Sequence, residues 1–183
     1  MIKYALPPSL TYAIVPKSDQ IPEAVLPNGT KIKVICGKIA DKEGPVRDII
    51  IDPEYLDITV PAGREYVHPT KRGHTVFAYV IDGRGYFCRE KKPFAYEMEG
   101  ANYFDMNREA TLGNGDLVLF GDGDQVLAFT EKDPVRFLLL SGRPIGEPVE
   151  WYGPIVMNSK EELRVAFEEY NNGTFIKTPK PSQ

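Results

Sequence analysis

Two residue types are scarce. Cysteine occurs twice, as Cys36 and Cys88, and histidine twice, as His68 and His74, in a chain of 183 residues. Two thiols with no C-x-x-C spacing do not make a disulfide framework, and both are expected as reduced thiols beside apolar strand residues. So few imidazoles leave no Ser-His-Asp order to argue for, and no G-x-x-x-x-G-K-[ST] phosphate loop occurs. A basic excess is also missing: 22 Lys and Arg stand against 26 Asp and Glu, a net charge of −4. That balance argues against nucleic acid as a partner. No stretch approaches the roughly 20 apolar residues of a membrane span. The opening "MIKYALPPSLTYAIVPKSDQ" lacks the apolar core of about 7–15 residues that a secretory signal needs, and Pro7, Pro8 and Pro16 interrupt it. The protein is therefore expected in the cytoplasm, and the N-G-T sequons at Asn28 and Asn172 read as turns.

What is present is a series of short β patterns. At 42% apolar residues the chain can bury a core. "KIKVICGKI" alternates at Ile32, Val34 and Cys36, and "YLDITV" at Leu56, Ile58 and Val60. "TVFAYVIDGRGYF" reads as two strands around a tight Asp82-Gly83 turn. "DLVLF", "QVLAF" and "RFLLLS" follow, separated by Asn114-Gly115, Asp122-Gly123-Asp124 and Asp133-Pro134. Such spacing predicts an antiparallel sandwich or barrel. Residues 89–110 are charged yet carry Phe94, Tyr96, Tyr103 and Phe104, and are expected as a loop folding its aromatics onto the rim. The period then changes. "NSKEELRVAFEEYNNG" puts Leu163, Ala166, Phe167 and Tyr170 on one helical face, with a Ser159/Glu162 capping box and an Asn172-Gly173 stop.

The closing segment "GRPIGEPVEWYGPIVMNSKEELRVAFEEYNNGTF" resembles the end of the pirins. That family is marked by G-x-P-x-x-E-P-V, a tyrosine or histidine before G-P-[FI]-V-M-N, and a short acidic helix. "GTKIKVICGKI", "LGNGDLVLFGDGDQV" and "RFLLLSGRP" are similar to the carboxy-terminal half of those proteins, so the resemblance spans about residues 12–177. It implies an all-β fold: one cupin barrel, a double-stranded β-helix or jelly roll, with an extended amino-terminal arm and a carboxy-terminal α-helix. The expected boundaries are 1–30 for the arm, 31–148 for the barrel, 149–177 for the closing strand and helix, and 178–183 for a disordered tail. The resemblance also implies that family iron, held by three histidines and a glutamate, sits in an amino-terminal barrel. Quercetin dioxygenase and transcription-cofactor roles go with the complete two-barrel form. This chain is expected to begin near the linker between barrels.

A cupin metal signature runs H-x-H, then E, then G, with a later histidine. With Gly83 as its glycine, the glutamate position falls on Val76 and the histidine pair near Pro69 and Lys71 or Thr70 and Arg72. No histidine follows His74. The expectation is no metal and no catalytic residue, with apolar Val76, Ala78 and Val80, or else Phe77, Tyr79 and Ile81, plugging the interior. The alternative is a transition-metal dioxygenase site, iron or another such ion, on His68 and His74 with a carboxylate such as Glu65, Asp57 or Asp82. The acids of "DIIIDPEYLD" are expected to be solvated around a Pro53 turn. Trp151, Tyr152, Phe167 and Tyr170 are the expected contacts to a partner, either a second copy of this chain or a separately encoded barrel. A third expectation is a small-molecule pocket lined by Tyr79, Tyr86 and Phe104.

Overall fold

Alternation decides the strands. A computed structural model describes residues 16–47, 49–92 and 110–176. The chain divides into two compact units, and the described parts of these are 16–144 and 145–176.

Among its described residues the first unit holds eleven strands: β1 (Glu23–Val25), β2 (Lys31–Cys36), β3 (Lys38–Ile39), β4 (Lys42–Glu43), β5 (Glu54–Val60), β6 (Glu65–Pro69), β7 (Thr75–Gly85), β8 (Leu112–Gly113), β9 (Leu117–Phe120), β10 (Gln125–Phe129) and β11 (Val135–Gly142). Its main sheet runs β1-β2-β5-β11-β7-β8, with β9 also on β7, and β10 pairs with β6. Every ladder between these strands is antiparallel. The expected all-β barrel is thus what forms. Its core is the inward set Ile32, Val34, Leu56, Ile58, Val60, Val76, Ala78, Val80, Val126, Ala128, Phe137 and Leu139. Of the two expected interior sets on β7, Val76, Ala78 and Val80 are buried, while Phe77, Tyr79 and Ile81 are not.

The described part of the extended arm, 16–30, is tied to the barrel: a 3-10 turn at Ser18–Gln20 leads into β1, which pairs with β2 from Glu23↔Lys33 to Val25↔Lys31. The strand has three residues and buries only Ala24, too little to register as alternation. Residues 1–15 lie outside the described residues, as do Phe94, Tyr96, Tyr103, Phe104 and the 178–183 tail.

The Asp82-Gly83 pair makes no hairpin. It sits inside one eleven-residue strand, where pairing with β11 shifts between Arg136↔Asp82 and Phe137↔Val80 and leaves Ile81 without an opposite residue. Gly83 has φ +72, and a Cβ there would stand 2.0 Å from the Pro134 carbonyl oxygen. Positive φ serves a bulge as well as a turn, so the dipeptide alone does not separate them.

The second unit is a hairpin and a helix. β12 (Glu150–Tyr152) pairs with β13 (Ile155–Met157), and α1 spans Lys160–Asn171. Ser159 caps α1 by accepting from the Glu162 N–H at 3.2 Å. The Glu162 carboxylate accepts from the Asn158 N–H, one residue ahead of the usual capping-box partner, and from the Ser159 hydroxyl. Asn172 ends the helix and Gly173 follows with φ +69. Among the described residues no helix is long and apolar enough to cross a membrane.

Candidate functional site

The barrel interior is hydrocarbon except at one end. On β6 the sequence E-Y-V-H-P alternates, so Tyr66 and His68 both face inward, and His68 is only 2% exposed. Glu54 opens β5 in the parity of Leu56 and Ile58, and Ser141 closes β11 in the parity of Phe137 and Leu139. The four side chains join in a line. Tyr66 Oη lies 2.9 Å from His68 Nδ1, and His68 Nε2 lies 3.1 Å from Glu54 Oε2, which also accepts from the Ser141 hydroxyl at 3.2 Å.

Their charges fix the hydrogen directions. Burial pushes the Glu54 carboxyl up. The hydrogen bond from His68, the positive charge that ring can carry and the Ser141 hydroxyl outweigh it, leaving the group below the ordinary glutamate value. Glu54 is therefore an acceptor at neutral pH. Burial, with the Glu54 charge nearby, pushes Tyr66 well above its usual value, so Tyr66 keeps its proton. Both ring nitrogens of His68 are thus engaged, Nδ1 with the Tyr66 hydroxyl and Nε2–H donating to the Glu54 carboxylate.

Glu54 also reaches a cleft of about 550 Å³ lined by Cys36, Lys38, Arg47, Asp52 and Lys71 among others. Lys71 pairs with Asp52, and Arg47 stands 3.6 Å from Glu43. The Lys71 hydrogen bond and charge hold Asp52 below the usual carboxylate range. The Cys36 thiol donates to the Pro53 carbonyl at 3.3 Å. Burial raises its pKa against the Gly37 backbone N–H, and the Glu54 charge adds to the rise, which makes it an unreactive thiol.

This arrangement does not fit a metal. Both nitrogens of His68 are already bonded, and His74 sits in a turn where its backbone N–H donates to the Lys71 carbonyl. Asp57 is held by Arg136 through two hydrogen bonds of 2.9 and 2.7 Å, and Glu65 is on the opposite face of β6 from His68. Among the described residues no three His, Cys, Asp or Glu side chains stand together as a metal site would need. The expected solvated acids of 48–57 are corrected in part. Glu54 is a half-buried member of the polar line, and its inward parity on β5 was the signal for it. Asp48 lies outside the described residues.

The other expected residues separate. Tyr79 points outward from β7 and is 41% exposed. Tyr86 stacks on Phe129 at 4.6 Å with Lys91 above both rings. Phe104, the third residue expected beside them, lies outside the described residues. In the second unit Trp151 is 73% exposed, its indole donating to the Gly153 carbonyl, and Tyr152 and Tyr170 are exposed too. Phe167 is half-buried between those tyrosines, at 5.0 Å from Tyr152 and 6.4 Å from Tyr170.

An antiparallel main sheet and a smaller β6–β10 pair, with an inward apolar core, make this fold a cupin. More particularly, the chain belongs to the pirin family: the model for the pirin C-terminal cupin domain matches residues 55–176. A pirin-like protein of Caulobacter vibrioides is 32% identical over 87% of this chain and 50% of its own length. Pirin-1 of Arabidopsis thaliana is 32% identical over 90% of this chain and 54% of its own. The chain thus spans about half the length of these relatives. Among solved structures, a quercetin 2,3-dioxygenase from Acinetobacter baumannii aligns with a TM-score of 0.67 at 25% identity, over 87% of this chain and 49% of that one.

Proposed function

We propose that this pirin-type cupin domain is a non-catalytic binding and assembly module that works in the cytoplasm. The observation that carries the reading is the engagement of His68. A metal at His68 would have to displace either the Tyr66 hydroxyl or the Glu54 carboxylate, and the barrel core beyond them is apolar. The exposed aromatics Trp151, Tyr152 and Tyr170 support a role through surfaces. The thiols Cys36 and Cys88, both free, suit a reducing compartment.

One alternative has an observation of its own. The likeness to a quercetin 2,3-dioxygenase favours a metal-dependent oxidoreductase. Elemental analysis of protein produced with iron, nickel and manganese in the medium separates the two. The module holds far less than one metal per chain. One metal per chain, lost in a His68→Ala/His74→Ala double variant, overturns it.

A further inference from the structure

A block in one half of the main sheet is apolar on both faces. Inward residues of β11, β7 and β9 pack the core, as they must. Their outward neighbours include Leu138 and Leu140 on β11, Phe77 and Tyr79 on β7, and Leu117 and Leu119 on β9, with Arg136 and Thr75 beyond the block along the strands. The registers put these six in two rows. Leu117 stands opposite Tyr79, which stands opposite Leu138; Leu119 stands opposite Phe77, which stands opposite Leu140. Leu117 and Leu119 are 62% and 68% exposed. Next along the first row come Asp57, Lys33 and Glu23, so the apolar block ends in alternating charge.

A strand that faces water on one side alternates apolar and polar, and an all-apolar run belongs to strands covered on both sides. "TVFAYVI", "LVLF" and "FLLL" are such runs, yet nothing in the described residues covers them fully. Strand interiors this apolar also invite aggregation unless something specific sits on them.

We infer that this face is where two copies of the chain pack sheet against sheet across a two-fold axis. The inference rests on the assembly reading and names its surface. Two features select a second copy over another occupant. The block is two equal rows of three uncharged side chains, so a half-turn about an axis lying across the strands sets Leu117–Tyr79–Leu138 of one copy on Leu119–Phe77–Leu140 of the other. Such self-matching is what an isologous interface requires. The bordering Asp57, Lys33 and Glu23 carry both signs, and Arg136 already binds Asp57, so two chains of net charge −4 meet there without a block of like charge. Six side chains make a small patch beside the roughly 800 Å² per partner of a standard interface, which places the pairing in the weak, concentration-dependent class.

Sedimentation velocity of the whole chain from about 1 to about 500 µM tests this, a range spanning the expected weak pairing. The expected result is a reversible dimer that survives about 1 M NaCl, where charge contacts are screened. Leu117→Glu/Leu119→Glu weakens it by about tenfold or more, as charges at a desolvated interface centre do. Both positions are exposed in the monomer, so its melting temperature should hold; Leu117→Ser/Leu119→Ser is the milder substitute. A monomer at every concentration overturns the inference, whatever else that face serves. A dimer that persists in both double variants also overturns it. If that dimer then dissociates in Trp151→Ala/Tyr152→Ala, the assembly reading survives on the second unit's aromatics and only the sheet face is lost. The metal content that decides the assembly reading is a separate measurement.

Discussion

The main sheet is one structure with two exteriors. On β1, β2 and β5 the outward positions are mostly polar: Glu23, Lys31, Lys33, Asp57 and Thr59, with Val25, Ile35 and Tyr55 among them. On β11, β7 and β9, across a single ladder of hydrogen bonds, they are mostly leucines and aromatics, with Arg136 and Thr75 beyond them. The inward positions do not change: Ile32, Ile58, Phe137 and Val80 lie side by side in register and are fully buried. Backbone pairing is therefore indifferent to the exterior, and the difference records what each half meets. Water suffices for the charged half. The apolar half gains stability only from contact with another surface.

Six substitutions break or sharpen that contrast. The largest effect belongs to the shared interior. Phe137→Ala under the apolar half costs about 3–5 kcal/mol, and Ile58→Ala beside it under the charged half about 2–5 kcal/mol. Chemical denaturation of both reads this, and an Ile58→Ala cost below 1 kcal/mol would mean that the core does not run beneath both halves.

Second come the polar residues at the barrel's end. His68→Ala leaves Tyr66 and Glu54 without their shared partner and costs about 3 kcal/mol. Glu54→Gln costs about 1–2 kcal/mol at neutral pH. Because the folded state holds Glu54 below its ordinary pKa, its contribution is present above the usual carboxylate range and is lost as pH falls through the lowered value. The gap between wild type and Glu54→Gln should thus close below about pH 4. A gap that stays constant from neutral to acid pH would sink this account.

The smallest effects are on the exteriors. Arg136→Ala breaks a half-exposed pair with Asp57 and costs under about 1 kcal/mol, less in high salt. Leu119→Glu changes monomer stability by no more than about 0.5 kcal/mol, since its side chain is already in water. A melting-temperature loss for Leu119→Glu as large as that for Phe137→Ala would show that the outer face is buried within the monomer.

The sequence was most legible where alternation was clean. "KIKVIC", "YLDITV" and "QVLAF" became strands near the expected bounds, and the α1 cap and stop fell on Ser159 and Asn172-Gly173. It was least legible where one chemistry serves two geometries. Asp82-Gly83 supplies positive φ to a bulge as readily as to a hairpin. The polar line was half visible. Tyr66 and His68 share a face by spacing alone, but the meeting with Glu54 joins two separate sheets, and Ser141 reaches Glu54 from 87 residues away only because β11 pairs with β5. The outward leucines were readable as letters, yet an unbroken apolar run does not say which of its residues face out until the register is known.

Gly83 carries a last consequence. The Pro134 oxygen occupies the space that any side chain at this position would need. On one side of it β7 pairs with β9, and on the other with β8. The strand changes partner there without a break, and the change hangs on a single missing carbon: any side chain at this position would push the backbone at Pro134 away.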